Sequence, residues 1–143
     1  AMGAVMVKPE LMASLRPGTH GSTFGGNPMA CAAAKATFQA LQEDGLLENV
    51  KAMSARFAKR LGELKEKKLG IREVRICGLM IGVSLDTPGK DVVRRCMESG
   101  VLLNCTHETI LRMLPAYNIT ATEVDFGLDV LERALVGQSA AKA

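Results

Sequence analysis

The stretch Ile71-Arg-Glu-Val-Arg-Ile-Cys-Gly-Leu-Met-Ile-Gly-Val-Ser-Leu85 decides the fold class. Short aliphatic runs lie on both sides of Gly78, and two strands around that glycine follow from them. In the second strand Leu79, Ile81, Val83 and Leu85 recur at every other position, so they share one face. Two more strands are expected downstream, Val101–Leu103 and Ile110–Leu114, the last closed by Pro115. Between the two pairs, Thr87-Pro88 is expected to open a helix with Val92, Val93, Cys96 and Met97 inward and Gly100 as its stop.

Upstream lie two helical segments. Asn27 caps and Pro28 opens an alanine-rich helix through Glu43, whose small side chains suit close packing against a neighbour; Gly45 ends it. The next helix runs from about Leu46 to Leu69, with Val50, Met53, Phe57, Leu61 and Leu64 as its buried stripe and Gly70 as its stop. Lys51, Arg56, Lys59, Arg60 and the lysines of 65–68 sit largely off that stripe and read as a solvated outer face. At the far end, Thr120 and Glu123 form a capping box and Ile119 a staple onto Val124. Val124, Leu128, Leu131 and Leu135 are the inward stripe of this last helix, and residues 137–143 read as a frayed tail. The order is helix, helix, strand, strand, helix, strand, strand, helix. It predicts an α+β fold: a small, mainly antiparallel sheet covered by helices on one face.

The chain has 143 residues, a net charge of +3 and 48% apolar residues, which suits one globular core. No apolar run approaches the ~18 residues of a membrane span, and no secretory signal opens the chain. The weak, evenly spread charge and the 3% aromatic content argue against nucleic acid. Cys31, Cys77, Cys96 and Cys105 form no pair or cluster with metal-ligand spacing, so buried free thiols in a reducing cytoplasm are expected. The methionines are assigned mostly to core stripes.

Residues 1–26 lack helical periodicity. Ala4–Val7 reads as a possible strand, and Glu10–Leu15 as a short helical stretch after Pro9. The following Arg16-Pro-Gly-Thr-His-Gly-Ser-Thr-Phe-Gly-Gly-Asn-Pro28 crowds four glycines and two prolines together. Such a loop forms anion-binding concavities, and Ser22 and Thr23 add hydroxyls. It matches neither phosphate-binding glycine motif, so an anion site and a plain turn into the helix stand equal here. Arg112, between Leu111 and Met113, has two readings as well: an edge-strand arginine in water, or a forked cation awaiting a carboxylate. His20 and His107 are isolated, with no nucleophile at a telling spacing.

Gly18-Thr-His-Gly-Ser-Thr-Phe-Gly-Gly-Asn-Pro-Met-Ala-Cys-Ala-Ala-Ala34 resembles the segment that precedes the C-terminal domain of class-III aminotransferases, which use pyridoxal phosphate. Asp44–Val50, Val74–Leu85, Gly100–Asn104, Ile110–Pro115 and Asn118–Thr120 resemble later parts of the same domain, in order and spacing. Gly78-Leu-Met-Ile-Gly82 and Leu111-Arg-Met-Leu-Pro115 look most like the branch that moves an amino group from N-acetylornithine to 2-oxoglutarate in arginine biosynthesis. Branches acting on ornithine, succinylornithine or 4-aminobutyrate are closely similar.

The resemblance implies a fold-type I aminotransferase C-terminal domain. By the same resemblance, Thr23 binds the cofactor phosphate across a homodimer interface, Ser22 contributes beside it near the substrate, and Arg112 binds a substrate carboxylate. The family's Schiff-base lysine would lie just before Ala1, and Lys8 does not stand in its context, so no catalytic residue is assigned within the chain. The isolated chain is accordingly expected to be inactive and to bind no pyridoxal phosphate by itself. The expected division is 1–27 as a remnant of the large cofactor domain, 28–45 as a connecting helix, 46–137 as the small domain and 138–143 as the tail. Two competing readings are a non-catalytic, self-associating module, built on the apolar Ala4–Val7 run and the alanine-rich helix, and an unrelated phosphate-binding domain.

Overall fold

A computed structural model describes residues 2–140. The chain divides after Gly45 into two compact units, Ala1–Gly45 and Leu46–Ala143. In the first unit, Pro9–Ser14 is a 3-10 turn and helix α1 spans Pro28–Glu43. Asn27 starts α1 as its residue type predicts: its side-chain oxygen accepts the Ala30 N–H at 2.9 Å, and Pro28 takes the first helical position. Gly45, at φ 66°, turns the chain out of the helix. Ala4–Val7 forms no strand, because it has no partner strand among the described residues to take up its backbone groups. None of the described residues of this unit is buried.

The second unit holds the core. Its elements are α2 (Leu46–Glu66), β1 (Ile71–Cys77), β2 (Met80–Leu85), α3 (Lys90–Glu98), β3 (Asn104–Thr106), β4 (Ile110–Met113) and α4 (Ala121–Ala140). The strands form one antiparallel sheet in the order β1-β2-β4-β3. Val74, Val83, Leu111 and Cys105 lie in one cross-strand row, and Ile76, Ile81 and Met113 in the next. Both rows belong to the core that α2, α3 and α4 complete, with Phe57, Leu61, Leu64, Val92, Cys96, Val124, Leu128, Leu131 and Leu135. Burying a large aliphatic side chain contributes roughly 1.5–3 kcal/mol, so these residues carry most of the stability. The expected sheet, covered by helices on one face, is therefore the observed one.

The differences have local causes. Helix α3 starts at Lys90 rather than at Pro88. The Gly89 N–H is used by the Glu108 carbonyl at 2.8 Å, which ties the segment before α3 to the β3–β4 turn. Met97 is 57% exposed, because the stripe of this short helix runs through Val92 and Cys96. Val101–Leu103 is not a strand: the Val101 N–H bonds back to the Cys96 carbonyl at 2.9 Å to close α3, and pairing begins at Asn104. Leu102 is 86% exposed as a result. The helix α4 continues through 137–140, where a frayed tail was expected; residues 141–143 lie outside the described residues.

Arg56 and Arg60 of α2, and Lys67 just after it, are more than a solvated face. Arg56 Nε bonds Asp125 at 2.8 Å, Arg60 reaches Asp129 at 2.6 Å and Asp125 at 3.2 Å, and Lys67 reaches Glu132 at 2.5 Å. These pairs align α2 with α4, although exposed pairs stabilise only weakly. Cys31 and Cys77 are exposed and only Cys96 is buried, which corrects the expectation of buried thiols. Most methionines are exposed too; Met53 and Met113 alone pack against the core.

Candidate functional site

Arg112 lies on β4, an inner strand between β2 and β3, not on an edge. Leu111 before it is buried and faces the helices, so strand alternation turns Arg112 to the opposite, helix-free face. There it is exposed and has no hydrogen-bonding or charged partner among the described residues. Its cross-strand neighbours are Gly82 on one side and Asn104 on the other. Gly82 presents no side chain, and the Arg75 guanidinium lies over it, with Nε and Nη2 4.0 Å from where a β-carbon would stand.

A groove of about 590 Å³ opens beside Arg112. Leu102, Leu103, Leu114 and Phe126 give it apolar walls, with Arg112 and Asn104 as polar lining. Its rim is held in place by capping chemistry. The Thr120 N–H donates to Glu123 Oε2 at 2.8 Å, and the Glu123 N–H donates to Thr120 Oγ1 at 3.3 Å. The Thr120 N–H bond first, and then the Thr120 hydroxyl donating to the same Oε2 at 2.7 Å, hold the Glu123 carboxyl below its ordinary 4.5. Behind the loop, the Asn49 side-chain amide donates to the Tyr117 carbonyl at 2.8 Å and to the Ile119 carbonyl at 3.0 Å. Asn49 thus pins the segment between β4 and α4 to α2. An unpaired forked cation on the helix-free face of the sheet suits a carboxylate. Sequence reasoning missed Asn49, Asn104 and the groove walls; no local signal marks them, since each matters through a partner distant in the chain.

The glycine-rich loop belongs to the first unit. Residues 23–26 form a turn, closed by the Gly25 N–H on the Ser22 carbonyl at 3.2 Å. A β-carbon at Gly25 would approach Ser22 Cβ to 3.2 Å, so the turn is tight there. Gly18 and Gly26 sit at φ 87° and 71°. The hydroxyls of Ser22 and Thr23 bond no described residue and are exposed. The donor set therefore fits the phosphate end of a cofactor: two free hydroxyls in a glycine-lined turn. His20 lies within this loop, two residues before Ser22, and His107 lies in the turn between β3 and β4; no group of acidic, histidine and cysteine side chains among the described residues could hold a metal.

The sequence pattern of the family "Aminotransferase class-III" matches residues 1–135. The chain belongs to this family. It is 46% identical over 133 residues to an acetylornithine aminotransferase of Methanosarcina mazei, covering 93% of this chain and 33% of that protein. It is 40% identical over 131 residues to one of Methanocaldococcus jannaschii, covering 92% and 33%. The chain thus spans about a third of the length of the curated relatives it matches. Among solved structures, an ornithine aminotransferase of Toxoplasma gondii, with pyridoxal phosphate partly occupying its active site, superposes with a TM-score of 0.81 at 32% identity over 94% of this chain and 33% of that one. An acetylornithine aminotransferase of Elizabethkingia anophelis gives 0.76 at 33% identity, over 88% of this chain and 34% of that one. This class-III aminotransferase chain has the fold of fold-type I enzymes, and its family works with pyridoxal phosphate. Among the described residues, no helix is long and apolar enough to cross a membrane.

Proposed function

We propose that this chain is the C-terminal part of a cytoplasmic, homodimeric aminotransferase that transfers an amino group from N-acetylornithine to 2-oxoglutarate. Residues 1–27 then belong to the large cofactor domain, 28–45 form the connecting helix and 46–137 the small domain. The observation that carries the reading is Arg112: an unpaired guanidinium on an inner strand, beside an apolar groove, in a chain of this family. It would grip a substrate carboxylate through two parallel N–H···O bonds. Thr23 and Ser22 would donate to the cofactor phosphate, and the glycines around them let the backbone come close. When bound, pyridoxal phosphate supplies the electron sink for amino-group transfer. The groove walls Leu102, Leu114 and Phe126 would shed water from the acyl chain of the donor.

The amino-donor assignment rests on the relatives' names and on the wording of Gly78–Gly82 and Leu111–Pro115. Lys8 does not stand in the family's cofactor-lysine context and no other lysine of the chain is assigned that role, so on this reading the chain alone is inactive. Mixed with pyridoxal phosphate, it should develop no stable, lysine-dependent absorbance band. The coding sequence upstream of Ala1 should supply, in frame, a lysine followed by a glycine-rich turn.

The decisive assay uses the complete gene product. N-Acetylornithine should exceed ornithine, succinylornithine and 4-aminobutyrate as donor in kcat/KM. A preference for 4-aminobutyrate would sink the donor assignment. Thr23→Val should weaken cofactor retention in equilibrium dialysis, and Arg112→Lys should raise KM about tenfold by losing the fork.

A further inference from the structure

Strand β1 is an edge of the sheet, and no strand lies beyond it among the described residues. At seven residues it is also the longest strand. The ladder on its inner side shows which of its backbone groups remain free. The Leu85 N–H donates to the Thr109 carbonyl at 2.8 Å, so Leu85, Val83 and Ile81 bond toward β4. Ser84, Gly82 and Met80 then bond toward β1, where they face Glu73, Arg75 and Cys77. Val74 and Ile76 are left with their N–H and C=O groups pointing off the edge. Such a row is a template for another strand.

The side chains of β1 select the register of an added strand. Glu73 and Arg75 are exposed and lie on the helix-free face, on either side of Val74. A second copy of β1, antiparallel and related by a two-fold axis at Val74, sets Glu73 opposite Arg75 of the other copy, twice. In that register Val74 faces its own counterpart, and the two exchange both backbone bonds. Glu73 and Arg75 then stand in non-hydrogen-bonded pairs, where side chains come closest. A shift of the axis to residue 73 puts two glutamates opposite each other, and a shift to residue 75 two arginines; both are repulsive. The existing Glu73–Arg75 contact within one chain is long, 3.6 Å, and exposed, so little is lost when each turns to the other copy.

We propose that β1 is a self-recognition edge, through which two copies of this chain join their sheets about a two-fold axis at Val74. The contact is isologous and closes on itself. It involves neither the glycine-rich loop nor Arg112, and it does not rest on the aminotransferase reading.

The test uses sedimentation velocity and amide hydrogen exchange on the 143-residue chain. The chain should form dimers as its concentration rises to about 1 mM, where even weak complexes are populated. The Val74 and Ile76 amides, open in dilute solution, should become protected in step with the dimer. Glu73→Arg and Arg75→Glu should each weaken association about tenfold or more, since every opposed pair becomes like-charged. An equimolar mixture of the two variants pairs arginine with glutamate at both positions and should restore the dimer, as should the double exchange within one chain. A chain that stays monomeric throughout overturns the proposal. So does a dimer whose Val74 and Ile76 amides stay open, which places the contact elsewhere. A mixture that associates no better than either variant alone overturns the register and the proposal with it.

Discussion

At the residue scale, what a side chain can do here follows from which face of its element it occupies. Cys96 sits on the inner face of α3, and burial pushes its thiol up from 9.0 to about 11. Cys31 and Cys77 are exposed. A thiol reagent at pH 8 should therefore modify Cys31 and Cys77 at once and Cys96 only after denaturation. The sign of the pH effect follows from the protons. Between pH 9 and about 11 the unfolded thiol is ionised while the folded one keeps its proton, so stability is complete below that window and falls through it. Urea melts at pH 8 and pH 10.5 should differ in that direction, and Cys96→Ser should remove this part of the difference. Gly89 illustrates space rather than conformation. Its φ is −86°, open to any residue, yet a β-carbon would stand 2.9 Å from Cys105 Sγ and from Leu111 Cδ2. Gly89→Ala should cost about 1–3 kcal/mol in chemical denaturation, from overpacking.

At the element scale, the clearest sequence signals were those whose physics is local. The Asn27 cap, the Thr120–Glu123 box and the inward stripes of α2 and α4 stand where their spacing puts them. Thr120→Ala should cost about 1 kcal/mol, measured as a lower urea midpoint at unchanged slope. The box also gives an acid limit. Glu123 is held below its ordinary value chiefly by the Thr120 backbone bond, and Asp125 chiefly by its bond with Arg56. Both contributions are present above the ordinary carboxylate range and are lost as pH falls through the depressed values. Tm should therefore drop on acidification below about pH 4, by less in Asp125→Asn, which lacks one of the two groups. Strand placement was less legible. Val101–Leu103 is aliphatic enough for a strand, but its first N–H closes α3, so the pairing segment moved on to Asn104–Thr106. Hydropathy does not record which backbone groups a preceding helix has already claimed.

At the scale of the whole molecule, the core lies wholly within Leu46–Ala143, and no described residue before Gly45 is buried. A chain of residues 46–143 should therefore fold by itself with a cooperative melt. A chain of residues 1–45 should show no cooperative transition in circular dichroism. Loss of a cooperative melt in 46–143 would show that the first unit supplies stability as well as the glycine-rich loop. The functional features divide the same way: the hydroxyls of Ser22 and Thr23 stand in one unit, and Arg112 with its groove in the other.

The sequence by itself determined the helices, their caps, the α+β class and the family, because these rest on spacings of three, four and two residues and on contiguous motifs. It also singled out Ser22, Thr23 and Arg112, through a loop rich in glycine and a charge within an apolar run. Only the tertiary structure decided what surrounds them. Strand order put Arg112 on an inner strand, register set Gly82 and Arg75 beside it, and Asn49 reached across to hold the groove's rim. Those relations join residues tens of positions apart. Nothing in local periodicity encodes them, because pairing and register are settled by the burial of a whole face at once.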